Sequence, residues 1–252
     1  MPLYRATVDF TDDDVAALYD QMYPWRPEPG TSDAFYTEAA LAAHSVLDVG
    51  CGTGQMLHRL RDDGHTGRLA GIDPDAAALL RARRRADLGI EWIEGTAADI
   101  PWTREFELAT MASNAFQCLI EDDEVCRSLA AVRGALADGG RFLFETRHPQ
   151  ARAWEQWAGA APSRTEYQGH ALLQSWEIES VIDGVVTMTE TTSEADGTTL
   201  HVGRGKLRFA ELPALLSWLA DAGFLVEAQH GDFSGGPITP ASRSIIISAR
   251  AA

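Results

Sequence analysis

Cysteine is scarce in this 252-residue chain: Cys51, Cys118 and Cys126 are all of it. None forms a C-x-x-C pair, and the histidines are scattered, so neither a disulfide framework nor a metal site is expected. A reducing, cytoplasmic setting follows from that usage. No run of about 18 apolar residues occurs, so no helical membrane span is expected. Residues 1–11 lack the basic-then-apolar layout of a secretory leader. Positive charge is also short: 21 Lys and Arg stand against 37 Asp and Glu, a formal net charge of −16. Such a surface repels phosphate backbones, which argues against nucleic acid as a partner. The one basic cluster, Arg81 with Arg83, Arg84 and Arg85, reads as the C-terminal end of a helix, where cations complement the dipole. Internal repeats and low-complexity linkers are absent.

What is present is ordinary globular composition, with 45% apolar and 23% charged residues. The length suits one large α/β domain with a modest insertion. Helices are expected over 12–23 and 33–43, the second capped by Ser32 or Asp33. The pattern then alternates. Strands are expected at 46–49, 68–72, 90–94, 106–112 and 141–146. Helices are expected at 53–63, 74–86 and 122–136. For the 74–86 helix, Asp73 reads as N-cap and Pro74 as the first helical residue. This alternation predicts a parallel sheet with helices on both faces. Past Pro149 a helix over 151–157 leads into strands at 172–182, 185–192 and 199–209. Asp183-Gly184 and Asp196-Gly197 are hairpin turns, so a three-stranded antiparallel meander is expected. A helix over 211–222 and strands at 224–230 and 244–249 close the chain.

The densest motif is Val46-Leu47-Asp48-Val49-Gly50-Cys51-Gly52-Thr53-Gly54, a buried strand running into a glycine turn that opens a helix. Glycines there permit a tight turn and close approach of backbone to a ligand. The helix start leaves free amides facing that ligand. A dinucleotide fingerprint needs a different third-glycine spacing, and Gln55 stands where it would fall. No Gly-Lys-Ser/Thr follows, so a P-loop is not expected either.

The spacing Asp-x-Gly-x-Gly-x-Gly from Asp48 to Gly54 resembles motif I of class I S-adenosylmethionine-dependent methyltransferases. The resemblance continues in order along residues 45–147. Gly71-Ile72-Asp73-Pro74 is similar to the second motif, whose acidic residue holds the ribose hydroxyls. Ala98-Asp99-Ile100 with its flanks is similar to the third, whose Asp meets the adenine amine. Residues 106–116, with Ser113 and Asn114, match the strand that lines the methionine end. The resemblance implies a Rossmann-like seven-stranded, mostly parallel sheet of order 3-2-1-4-5-7-6, with strand 7 antiparallel and the β insertion as a lid. It implies S-adenosyl-L-methionine as cofactor, S-adenosyl-L-homocysteine as product, and no metal. The expected cofactor residues are Asp48, Gly50, Cys51, Gly52, Gly54, Asp73, Pro74, Ala98, Asp99, Ile100, Ser113 and Asn114. Tyr19 and Trp25 join them from an N-terminal region similar to that of small-molecule members.

Each residue also has a plainer reading. Asp73 caps a helix, Asp48 is a strand-end carboxylate, Asp99 forms a turn, and Cys51 is a small buried filler. Trp154 and Trp157 line an aromatic pocket or pack their helix. For catalysis, Glu145 and His148 follow the fifth strand at the carboxyl edge of the sheet, where α/β sites form. His148 is the base candidate; His170 and His201 are weaker. The expected organisation is an N-terminal helical cap (1–44), a cofactor-binding core (45–150), an inserted helix and β-meander lid (151–210), and a closing helix with two strands (211–252). The expected activity is methyl transfer to an O or N atom of a small-molecule acceptor, by a monomer or homodimer. The rival readings are a cofactor-binding regulatory or scaffold protein without catalysis, and a nicotinamide-dependent oxidoreductase.

Overall fold

The computed structural model describes residues 10–85 and 88–252. The leader reading of residues 1–11 and the last residue of the 74–86 helix fall largely outside them. Seven strands form the central sheet: β1 (Ser45–Val49), β2 (Arg68–Asp73), β3 (Ile90–Glu94), β4 (Phe106–Met111), β5 (Leu136–Arg147), β10 (Phe224–His230) and β11 (Ser244–Ala251). Their order is β3-β2-β1-β4-β5-β11-β10. β1 to β5 pair in parallel, and β11 runs antiparallel to both β5 and β10. With β10 and β11 counted as strands 6 and 7 of the sheet, this is the expected 3-2-1-4-5-7-6 order.

The sequence dictates this core by continuous apolar runs. All five residues of β1 are buried, as expected of a strand covered on both faces. Helix α3 (Gln55–Asp62) buries Met56, Leu57 and Leu60 on one face, and helix α5 (Asp122–Ala135) buries Val125, Leu129 and Val132. Each such side chain contributes about 1.5–3 kcal/mol. Two hydrophobic clusters result, one on each face of the sheet. Among the described residues, no helix is long and apolar enough to cross a membrane.

Three expectations are corrected. Helix α2 (Ser32–Ala42) is capped by Thr31, whose side chain accepts from the Ala34 amide; Asp33 instead accepts from the Arg26 amide at 2.6 Å. Helix α4 (Ala76–Arg84) starts two residues later than expected. Its cap is Asp75, which accepts from the Ala77 and Ala78 amides. Asp73 is drawn elsewhere, as described below. The insertion holds four strands rather than three: β6 (Ser163–Tyr167), β7 (His170–Ile182), β8 (Val185–Glu194) and β9 (Thr199–Arg208), in that order. β6 escaped notice because Ser-Arg-Thr-Glu-Tyr carries almost no apolar signal. Gln168 and Gly169, both at positive φ, turn it into β7.

Helix α1 (Asp12–Met22) lies where the arginine cluster reaches it. Arg81 and Arg85 bond Asp20 at 2.6 and 2.9 Å, and Arg84 bonds Asp13 at 2.8 Å. The cluster therefore ties α1 to α4 as well as ending its own helix. From its other side, α1 holds the insertion. Gln21 donates to Thr165 Oγ1 and the Glu166 carbonyl, and the Tyr167 hydroxyl donates to Asp14 at 2.8 Å. Helix α6 (Ala153–Ala158) places Trp154 and Trp157 against Phe209, with centroids 4.7 and 6.0 Å apart. Packing, the plainer reading of that pair, is what the structure shows.

Candidate cofactor and acceptor site

The carboxyl ends of β1 to β5 converge on one edge of the sheet. At the end of β1 the chain turns through Gly50, Gly52 and Gly54, all at positive φ. Two of these glycines do different work. A Cβ on Gly54 would collide with the Trp92 ring, so that position is fixed by packing. A Cβ on Gly52 would meet nothing within 4 Å, so its backbone faces open space. The Gly52 amide donates to Asp73 Oδ2 at 2.7 Å, and the Asp75 amide donates to Oδ1 at 2.8 Å. Asp73 thus stitches the end of β2 to the glycine turn. Its oxygens each accept one amide and keep lone-pair capacity for further donors. Burial pushes its carboxyl upward, opposed by those two amides.

Asp48 lies beneath the turn, 5% exposed, accepting from the Thr110 hydroxyl at 2.8 Å. Burial raises its pKa to about 7, with the charge of Asp73 adding to the shift. Cys51 is buried, and burial lifts its thiol well above the usual range, which suits a filler and not a nucleophile. Pro74 carries the chain between Asp73 and Asp75. Ala98 and Asp99 sit in a short 3-10 turn, Ala97–Asp99, ahead of Ile100. Asp99 Oδ2 accepts from the Thr96 amide and hydroxyl at 2.9 and 2.6 Å, which holds its carboxyl below the usual range. Turn formation by Asp99 is therefore real, and the residue remains exposed at the site's rim.

At the end of β4, Ser113 has φ +59, an uncommon conformation for a residue with a side chain. Glu145 holds it there, accepting from the Ser113 amide at 3.0 Å. Glu145 is 5% exposed, and burial raises its pKa to about 7, countered by Ser113 and Arg147. The Asn114 Oδ1 and Arg147 Nε atoms are buried without a hydrogen-bond partner. His148 is buried; its Nδ1 accepts from the Gln150 amide at 3.1 Å. That bond puts the neutral ring's proton on Nε2, which makes His148 a donor and argues against its being the base.

Tyr19 projects from α1 half-exposed. Its phenol is pushed up by burial, then by the charges of Tyr23, Asp20, Asp73 and Cys118. Trp25 is tied back instead: its indole donates to Thr37 Oγ1 at 3.0 Å, and its amide to Gln55 Oε1 at 2.9 Å. Sequence reading missed two residues. Asp20 is buried and accepts from the Thr53 hydroxyl in the glycine turn as well as from two arginines. Tyr36 is fully buried, feels the charges of both Glu145 and Asp48, and donates to the Met111 carbonyl at 3.4 Å. Each sits inside an amphipathic helix whose periodicity signals only packing. Among the described residues, no group of three or more His, Cys, Asp or Glu is placed to hold a metal ion.

A mostly parallel sheet of this order, with a glycine turn after β1, a buried acid ending β2 and an antiparallel β11, defines a methyltransferase fold. A family described as "Methyltransferase domain" matches residues 46–140. Those residues form a methyltransferase domain, and the similar proteins named next support an S-adenosylmethionine-dependent methyltransferase. It is similar to a cypemycin N-terminal methyltransferase from Streptomyces sp., 26% identical over 82% of this chain and 83% of that protein. A 2-phytyl-1,4-naphtoquinone methyltransferase from Thermosynechococcus vestitus is 32% identical over 44% of this chain and 50% of that one. An S-adenosylmethionine-dependent methyltransferase from Clostridium acetobutylicum superposes with a TM-score of 0.76 at 18% identity, covering 95% and 98% of the two chains. An amino pentose methyltransferase from Micromonospora echinaspora gives 0.70 at 21% identity, covering 98% and 100%. At those identities the two structures establish the fold.

Proposed function

We propose that this protein transfers a methyl group from S-adenosylmethionine to an O or N atom of a small molecule, in the cytoplasm, with no nucleic-acid partner, as a monomer or homodimer. The observation that carries the reading is the pairing of Gly52 with Asp73: an amide turn open to space, bonded to a carboxylate with acceptor capacity to spare. In this reading Asp73 accepts the ribose hydroxyls, Gly52 gives backbone room in a turn that Gly50 and Gly54 pack in place beside Cys51, and Asp48 supports the ammonium end from beneath. Pro74, Ala98, Asp99 and Ile100 border the adenine, Ser113 and Asn114 the methionine end, and Tyr19 covers the ribose side. Bound there, the cofactor supplies a sulfonium methyl that is electrophilic without further activation. The chain's task is then to align an acceptor lone pair with it and exclude water. Glu145 serves by holding the Ser113 turn, and His148 Nε2 offers a hydrogen bond to an acceptor. α1 and the four-stranded insertion, bonded to each other, form the cover.

The buried, unpartnered Asn114 Oδ1 and Arg147 Nε favour a polar acceptor beside β4 and β5 over a non-catalytic scaffold. Calorimetry with S-adenosylhomocysteine and with nicotinamide dinucleotides tests the reading. Binding at micromolar or better is expected for the first and none for the others. Tight dinucleotide binding without S-adenosylhomocysteine binding would overturn it.

A further inference from the structure

The inserted sheet has an inner and an outer face. Directly paired residues of antiparallel strands share a face. Glu190 of β8 pairs with Trp176 of β7 and Gly203 of β9, and one pleat along Gln174 pairs with Thr192. Gln174 and Thr192 are buried, so this face looks inward. The opposite face carries the exposed Glu179–Arg204 pair. Gly203 and Gly205 leave the inner face without side chains beside Glu190, and a Cβ on Gly205 would meet nothing within 4 Å.

Tyr23 follows α1, the helix that hydrogen-bonds the inserted sheet through Gln21 and Asp14. Its ring lies 5.1 Å from that of Tyr19, and the Glu190 charge raises its phenol after burial does. Tyr19 in turn feels Asp73. The tyrosine pair is therefore within electrostatic reach of both the second-strand carboxylate and Glu190. Glu190 is half-buried with no hydrogen bond or ion pair among the described residues. Gln174 Oε1, on the same face and buried, also has no partner. The charged and titratable groups facing Glu190 are Tyr23 and His201.

Resting on the methyltransferase reading above, we propose that this inner face is the acceptor subsite and that Glu190, flanked by Tyr23 and Gln174, binds a primary or secondary amine. An unpaired, half-buried carboxylate attracts an ammonium group by charge, and nearby aromatic rings add to that attraction through their quadrupoles. A carboxylate or phenolate acceptor would instead meet like charge in a poorly hydrated setting. The ammonium proton passes to the Glu190 carboxylate, which burial makes more basic than an exposed one while His201 opposes the shift. The freed nitrogen lone pair forms the new N–C bond as the methyl C–S bond breaks. The C–S electron pair stays on sulfur and neutralises the sulfonium. The product nitrogen carries the new positive charge, so atoms and charge balance with no further reactant.

The test uses the full chain and Glu190→Gln. Saturation-transfer NMR, with S-adenosylhomocysteine present, reads binding of alkyl amines, amino alcohols and peptide N-termini against matched alcohols, phenols and carboxylates. Methyl transfer from S-adenosylmethionine is measured over the same panels. The expected result is that amines bind and are methylated. Glu190→Gln should lose amine binding and at least 30-fold in kcat/KM, with S-adenosylhomocysteine affinity held within threefold. Binding or transfer confined to alcohols, phenols or carboxylates overturns the proposal. So does a failure to bind any amine, or an amine kcat/KM unchanged in Glu190→Gln. Failure of wild type to bind S-adenosylhomocysteine would sink the cofactor reading instead, so the two failures are distinct.

Discussion

Replacing Asp73 by serine separates two jobs that sequence alone merges. The structure gives the helix cap to Asp75 and leaves Asp73 holding the Gly52 and Asp75 amides at 2.7 and 2.8 Å. Serine is too short for both amides and supplies one oxygen in place of two. In the free protein, two hydrogen bonds to a charged acceptor are lost, about 1.5–3 kcal/mol each before compensation. Removing a carboxylate whose charge burial already disfavours returns part of that. The net cost to stability is about 1–2 kcal/mol. In the complex, the ribose hydroxyls lose their acceptors too, and affinity should fall roughly 30-fold to 1000-fold, about 2–4 kcal/mol. With ligand at about 100 times the dissociation constant, wild type gains about 2.7 kcal/mol; after a 100-fold loss the gain is about 0.4 kcal/mol. For a chain of this size that shrinks the ligand-induced rise in melting temperature from about 5–11 °C to about 1–2 °C. Melting with and without S-adenosylhomocysteine measures it. Asp75→Ala is the control: it should cost about 1 kcal/mol of stability through the cap and leave affinity within threefold. An undiminished ligand shift in Asp73→Ser would refute the argument.

Gly52→Val fills the open space over the turn and strains a backbone at φ +52; calorimetry should show at least tenfold weaker S-adenosylhomocysteine binding, about 1.4 kcal/mol or more. Normal binding by a folded variant would move the site elsewhere. Asp48 and Glu145 both have carboxyls raised to about 7 by burial. Because the folded state keeps those protons while the unfolded state has released them, the stability they provide is full below about pH 4 and is lost as pH rises toward and through 7, about 3–4 kcal/mol apiece. Asp48→Asn should therefore flatten the decline in melting temperature of the free protein between pH 5 and 8, and an unchanged slope would count against the buried charge.

Much of the core was legible because parallel strands buried on both faces read as short apolar runs. Val46 to Val49 is such a run, buried throughout. The glycine spacing and its acids were legible because they are local. The cap of α4 was not, since Asp73 and Asp75 both stand just ahead of the Ala76–Ala78 run and the tertiary pull of the Gly52 amide decides between them. β6 was missed because its pairing with β7 supplies the order that its own polar side chains do not. Asp20 and Tyr36 were missed for a shared reason: their partners, Thr53, Arg81, Arg85 and Met111, lie between 33 and 75 residues away.

The clasp of Trp154 and Trp157 on Phe209 closes the neck through which the chain leaves the core after β5 and returns before α7 (Leu212–Asp221). The antiparallel sheet on this neck pairs with no strand of the central sheet. A hairpin lengthened, trimmed or exchanged beyond the neck disturbs neither the register of the seven-stranded sheet nor the turn after β1. Lineages sharing this core are thereby free to revise what that antiparallel sheet touches under one selective pressure while the glycine turn answers to another.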